Sequence, residues 1–204
     1  MTECLLCNVE LLTRPSWKSL LALDDEMVVC LECFSRFKRS NQKFEDTLLK
    51  NITALYEYND AMRDYLHQYK FLQDIALANV FKNELRDVVK SKVNIIPIPM
   101  HPKRKVARTF SHVEELLKCA RISYSDVLEK KDDETMGEKS KKERLAISPL
   151  FNLKSNAIIE YEPYLIIDDI YTTGTTLRHA AALLIEAGAK EVEAVTLIRA
   201  RLND

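Results

Sequence analysis

Glycine is scarce in this chain, with three among 204 residues. A glycine kept in so glycine-poor a sequence marks a turn or a close backbone approach, and two of the three, Gly174 and Gly188, bracket one loop and one helical pattern. Charge of either sign is not in excess: the formal net charge is -1. No global field therefore draws the chain to nucleic acid or membrane, and any such contact rests on local basic patches. Long hydrophobic runs are missing too, none approaching the roughly 18 residues of a membrane span. Met1-Thr2-Glu3-Cys4 lacks the basic and apolar regions of a secretory signal, so a cytoplasmic chain without membrane insertion is expected. Disorder of the whole chain is excluded by its 47% hydrophobic content, enough for one ordinary domain plus a small module.

The most informative stretch runs from Tyr164 to Thr176 and reads Tyr-Leu-Ile-Ile-Asp-Asp-Ile-Tyr-Thr-Thr-Gly-Thr-Thr. Leu165, Ile166 and Ile167 make a short β-prone run suited to a strand buried on both faces, as in a parallel sheet. Asp168 and Asp169 follow at the carboxyl end of that strand, where open α/β sheets bind ligands. Thr172, Thr173, Gly174, Thr175 and Thr176 then supply hydroxyls and successive backbone N–H groups at the start of a helix, a place for an anion that needs no lysine. A ribose phosphate needs carboxylate acceptors for its hydroxyls and N–H donors for its phosphate, and the stretch offers both in that order. Helix capping alone accounts for one or two of the threonines.

Cysteine is clustered. Cys4-x-x-Cys7 and Cys30-x-x-Cys33 present two thiolate pairs, as a tetrahedral Zn²⁺ requires; a redox dithiol would need one pair only. The segment is too short for its own core, so a structural zinc would supply its folding energy. Boundaries of 1–45 for this four-cysteine module and 46–204 for an α/β domain follow. Asp24-Asp25 reads as a turn and Trp17 as packing beside the knuckle.

Between them, Phe34 to Leu49 turns basic, with Arg36, Lys38, Arg39 and Lys43, and reads as a solvated helix or a nucleic-acid contact. Tyr56 to Tyr58 reads as a strand, Asp60 to Lys70 as an amphipathic helix, and Ile75 to Val89 as a further helix with Leu77, Val80, Phe81, Leu85 and Val88 on its core face. Val93 to Pro99 is a strand whose prolines place it near an end or an edge. Lys103, Arg104, Lys105 and Arg108 come next, able to neutralise a pyrophosphate or hold a nucleic-acid backbone. Val113 to Ala120 is helical. Leu128 to Arg144 is charged and reads as a mobile surface loop, or as a cover that closes over ligand and brings Lys141, Lys142 or Arg144 to the anion. Leu177 to Ala187 is the helix opened by the phosphate loop, Gly188 its left-handed cap, and Glu191 to Ile198 the returning strand.

The Tyr164–Thr176 stretch resembles the 5-phosphoribosyl-1-pyrophosphate (PRPP) motif of type I phosphoribosyltransferases. The wider order of Cys-x-x-Cys pairs, Ile-Pro-Ile-Pro, Arg108-Thr-Phe110-Ser, Glu143-Arg144, Phe151 and this motif resembles the ComF family of competence proteins. The resemblance implies a type I phosphoribosyltransferase-like domain with a mostly parallel central sheet, preceded by a small zinc-ribbon-like module. It also implies a role in natural transformation: handling imported single-stranded DNA with the ATP-driven DNA translocase of the uptake system, at the inner face of the membrane through partners. Where the family reads Arg-Gly-Phe-Asn-Gln, this chain has Arg108-Thr109-Phe110-Ser111-His112.

Two functions follow from these readings. One is a DNA-uptake accessory protein that binds a phosphorylated ribose or nucleic-acid phosphates. The other is a catalytic phosphoribosyltransferase, which needs no protein nucleophile and would hold PRPP with Mg²⁺ while stabilising positive charge at the anomeric carbon. No acceptor-base pocket is recognisable, so catalytic residues are not assigned and binding ranks above catalysis.

Overall fold

A computed structural model of the chain describes residues 2–11, 27–40, 43–44, 46–101, 105–106, 109–131 and 150–200. The readings for Trp17, Asp24-Asp25, Lys103, Arg104, Arg108 and the 132–149 part of the charged stretch lie outside these residues.

Strands Thr2–Glu3 (β1) and Glu10–Leu11 (β2) pair antiparallel ahead of the short helix Leu31–Ser35 (α1). Lys43–Phe44 (β3) and Ile52–Glu57 (β4) follow, then helix Asp60–Lys70 (α2), a 3₁₀ turn at Ile75–Asn79, helix Lys82–Val89 (α3) and strand Ile95–Pro97 (β5). Helix His112–Cys119 (α4), hairpin strands Leu128–Lys130 (β6) and Phe151–Leu153 (β7), strand Pro163–Tyr171 (β8), helix Thr175–Glu186 (α5) and strand Glu191–Arg199 (β9) complete the described chain. The central sheet has the order β3-β4-β9-β8-β5 and is parallel apart from the edge strand β3.

β8 lies inside this sheet because Tyr164 to Ile167 is apolar without interruption and buried on both faces. β5 is an edge strand, which tolerates the missing N–H of its proline. One core layer joins Leu165, Ile167, Val195 and Leu197 to α2, the 3₁₀ turn, α3 and α4; the other joins Tyr164, Ile166 and Ala194 to α5 and the β6–β7 hairpin.

Three expectations need correction. The basic stretch after Phe34 is not a helix: α1 ends at Ser35, and residues 38–40 run extended beside β4, with Glu57 N–H donating to the Lys38 carbonyl at 2.8 Å and Ser40 N–H to that of Leu55 at 2.9 Å. Aromatic packing decides this, because Phe34 and Phe37 enter a ring cluster with Tyr56, Tyr65 and Phe81 at centroid separations of 4.8 to 6.5 Å. Lys38 and Arg39 are paired with Glu57 and Glu84. The single helix expected over Ile75–Val89 is broken, since the Asp74 carboxylate accepts from the Ala76 N–H at 3.2 Å and tightens the first turn into 3₁₀ geometry, while Phe81 leaves the helical path and is fully buried among the rings. Leu128 to Lys130 is a strand rather than loop, because Leu128 and its neighbour Phe151 are apolar enough to bury against α5.

The cysteine segment shares a core with the sheet. Cys4, Leu11, Val29 and Cys33 belong to the same apolar layer as Tyr56, Tyr65 and Phe81.

Candidate functional site

β8 carries two carboxylates to the carboxyl end of the sheet. Tyr164 and Ile166 face one core layer and Leu165 and Ile167 the other. Strand alternation therefore sends Asp168 toward the α5 side and Asp169 toward the α2 side. Asp169 there forms an ion pair with Lys70, the last residue of α2, and each of the two side chains is 14% exposed. Asp168 Oδ1 accepts from the Asp169 amide at 2.8 Å. Burial raises the Asp168 carboxyl to about 8; the charge of Asp169 adds to the rise, while the Asp169 N–H and the ammonium groups of Lys70 and Lys130 oppose it.

The loop after β8 turns at Gly174, whose φ of 77° and ψ of 0° are left-handed. α5 starts immediately afterwards, and its N-cap residue Gly174 has no side chain to bond the first turn. The N–H groups of a helix's first turn, with the positive end of its dipole, can take an anion. The Thr173 and Thr175 hydroxyls sit 2.9 Å apart at this helix start, and the Thr175 N–H donates to Thr173 Oγ1 at 3.4 Å. Thr172 is exposed and Thr176 half-buried.

Arg178, one turn into α5, braces the loop from outside. Its Nη2 donates to the Thr173 carbonyl at 2.8 Å and its Nη1 to Asp46 Oδ2 at 3.1 Å. Burial tends to raise the Asp46 carboxyl, but the Leu48 amide and Arg178 outweigh it and hold the group below its usual value. Tyr171 lies beneath Gly174, with the Arg199 guanidinium 5.0 Å from its ring centre.

The expected residues thus fall into two sets. Asp168, Asp169 and Thr172 to Thr176 occupy one continuous strand-loop-helix edge. Lys105 is drawn to Glu114 at 3.5 Å, and Lys103, Arg104, Arg108 and Arg144 lie outside the described residues. Lys70, Lys130 and Arg178 were missed by sequence reading. For Lys70 a signal existed: it follows Met62 and Leu66 at four-residue spacing on the buried stripe of its helix, where a cation needs an anionic partner.

Magnesium does not fit these carboxylates. A hard divalent cation takes ionised oxygen ligands, whereas Asp169 is already neutralised by Lys70 and Asp168 is driven toward its neutral form.

At the other end of the chain, the Sγ atoms of Cys4, Cys7, Cys30 and Cys33 all lie within 4.8 Å of one another. Cys7 and Cys30 sulfurs are 3.8 Å apart, the edge length of about 3.8 Å that a tetrahedron with metal–sulfur bonds of about 2.3 Å would have. Backbone N–H groups of Cys30 and Cys33 donate to the sulfurs of Cys4 and Cys30 at 3.3 and 3.4 Å. Burial would raise the Cys4 thiol, but donors from Cys30, Leu6 and Cys7 outweigh it and bring it to about 6. These four residues could hold a metal ion.

The phosphoribosyl transferase domain family matches residues 102–202. Competence protein ComFC of Streptococcus pneumoniae is 34% identical over 97% of this chain and 100% of its own length. This chain belongs to the ComFC family of competence proteins. ComFC of Bacillus subtilis is 30% identical over 96% of this chain and 94% of its own length. The parallel sheet and the strand-loop-helix edge described above are those of a type I phosphoribosyltransferase-like fold. Among solved structures, the allosteric regulatory enzyme of purine biosynthesis has a TM-score of 0.40 at 21% identity, covering 59% of this chain and 26% of its own. A hypoxanthine phosphoribosyltransferase from Staphylococcus aureus has a TM-score of 0.37 at 18% identity, covering 65% and 74%. Among the described residues, no helix is long and apolar enough to cross a membrane.

Proposed function

We propose that this chain is a competence accessory protein for natural transformation, acting on imported single-stranded DNA in the cytoplasm beside the ATP-driven translocase. Its phosphoribosyltransferase-like domain binds a ribose phosphate such as PRPP, with the amides between Thr172 and Thr176 on the phosphate and Asp168 and Asp169 facing the sugar hydroxyls. One observation carries this reading: α5 starts at a glycine, which has no capping side chain, directly after two carboxylates at the end of an internal parallel strand, in a chain matched over nearly its whole length by competence proteins. Zinc on Cys4, Cys7, Cys30 and Cys33 is structural. The four sulfurs are soft ligands gathered within 4.8 Å of one another, with two of them buried. The basic residues Lys103, Arg104, Lys105, Arg108 and Arg144 serve pyrophosphate or DNA phosphates.

Calorimetric titration with PRPP and with short single-stranded DNA, each alone and then in competition, tests the site. PRPP binding that is lost when Asp168 and Asp169 are both replaced by alanine supports it, and mutual exclusion places DNA on the same edge. Unchanged PRPP affinity in that double variant, or normal transformation in a deletion strain, overturns the reading. The match to the phosphoribosyl transferase domain favours a second reading, catalysis with an acceptor still to be found; release of pyrophosphate from PRPP with a nucleobase or amine would put it first.

A further inference from the structure

We propose that Lys70 is the built-in cation of this site, so that the chain binds ribose phosphates without a divalent metal. The inference rests on the ribose-phosphate reading above and adds what balances the charge there. Lys70 enters from α2, an element separate from the strand-loop-helix edge, and its ammonium meets Asp169 in a pair that is largely shielded from water. A lysine placed on the apolar stripe of a helix is costly to bury without an anion. The pair leaves Asp169 balanced by a cation, so an incoming phosphate is not repelled by a lone carboxylate there. When the sugar hydroxyls donate to Asp169, the ammonium has three donor hydrogens and turns part of its hydrogen bonding to the anion. Mg²⁺ performs that charge balancing where carboxylates are free. Here its place beside Asp169 is taken.

The experiment is calorimetric titration of the full-length chain with PRPP in two buffers, one with excess EDTA and one with millimolar Mg²⁺. Wild type is expected to bind with affinities within about threefold of each other in the two buffers. Lys70→Gln is expected to lose about tenfold or more in EDTA and to recover in Mg²⁺, because the cation can then reach Asp169. Lys70→Arg keeps the charge and should stay insensitive to EDTA. Should Lys70→Gln fail to fold, as judged by circular dichroism, Asp169→Asn serves instead: it keeps the lysine, so its affinity should be equal in both buffers. Wild-type binding that appears only with Mg²⁺, or equal affinity of wild type and Lys70→Gln in EDTA, overturns the role of Lys70 while leaving the ribose-phosphate site standing. No PRPP binding in either buffer overturns that site and the present proposal together.

Discussion

A Cβ placed on Gly174 would lie 2.8 Å from the hydroxyl of Tyr171 and 3.1 Å from Nη1 of Arg178. That glycine therefore holds a left-handed turn that strains any side chain, and a methyl group there would also make the Tyr171 and Arg178 side chains shift. Gly174→Ala should cost on the order of 1–3 kcal/mol of stability through backbone strain and contact, and should open the loop enough to abolish PRPP binding. Thermal melting and calorimetry on the same preparation check both effects. A variant that binds normally would mean that the loop geometry is not what grasps the anion.

Arg178 ties the loop to Asp46 across the sheet edge. Arg178→Ala should weaken PRPP binding by about tenfold, since the Thr173 carbonyl loses a charged donor and the loop its brace. Fold stability should change by no more than about 1 kcal/mol, the partners being partly solvated. Asp46→Asn should have a smaller effect on binding, because the bond from Arg178 to Thr173 survives.

Asp168 gives stability a pH dependence of definite sign. Its carboxyl loses a proton near 3.8 when exposed and at about 8 in the folded chain. Between those values the unfolded chain binds fewer protons, so this group makes stability fall as pH rises, by at most about 1.4 kcal/mol per pH unit, and the fall ends above about pH 8. Asp168→Asn keeps an acceptor for the Asp169 amide and removes the titration. Denaturant melts from pH 5 to 8 should show the variant overtaking wild type as pH rises; parallel curves would contradict the burial of this group.

Cys33 is buried in the layer that also holds Tyr56, Tyr65 and Phe81. Cys33→Ser should lose bound metal and lower the melting temperature of the whole chain by roughly 6–12 °C, the equivalent of about 3 kcal/mol. Near-ultraviolet circular dichroism of the ring cluster should weaken in the same variant. A metal-free variant with an intact aromatic signal would show that metal and sheet are independent, and would reopen the redox role for the thiols.

Reading the chain alone reached the elements whose causes are local. Leu165 to Ile167 is an apolar run that only a strand buried on both faces accommodates, Asp60 to Lys70 carries a clean helical stripe, and the two Cys-x-x-Cys turns declare their ligands by spacing. The order of carboxylates, threonines and glycine after β8 likewise depends on neighbours in sequence, so the strand, the glycine turn and the helix it opens were legible before any packing was known. The Ile75–Val89 pattern misled because periodicity sees Phe81 as one more apolar position, whereas its ring is claimed by Phe37, Tyr56 and Tyr65 from elsewhere in the chain.

What tertiary structure alone decided is the partner of each charge. Which carboxylate faces which layer follows from strand alternation, but that α2 ends beside Asp169, that α5 lets Arg178 reach Asp46, and that the cysteines join the sheet's own core depend on how distant segments dock. Sequence determined that a glycine turn and a helix start follow two acids, and that four thiols come in two close pairs that could hold a metal, because turns and spacings act over a few bonds. Packing determined how the acids are neutralised, because an ion pair in a dry place exists only where two separately folded elements bring opposite charges together.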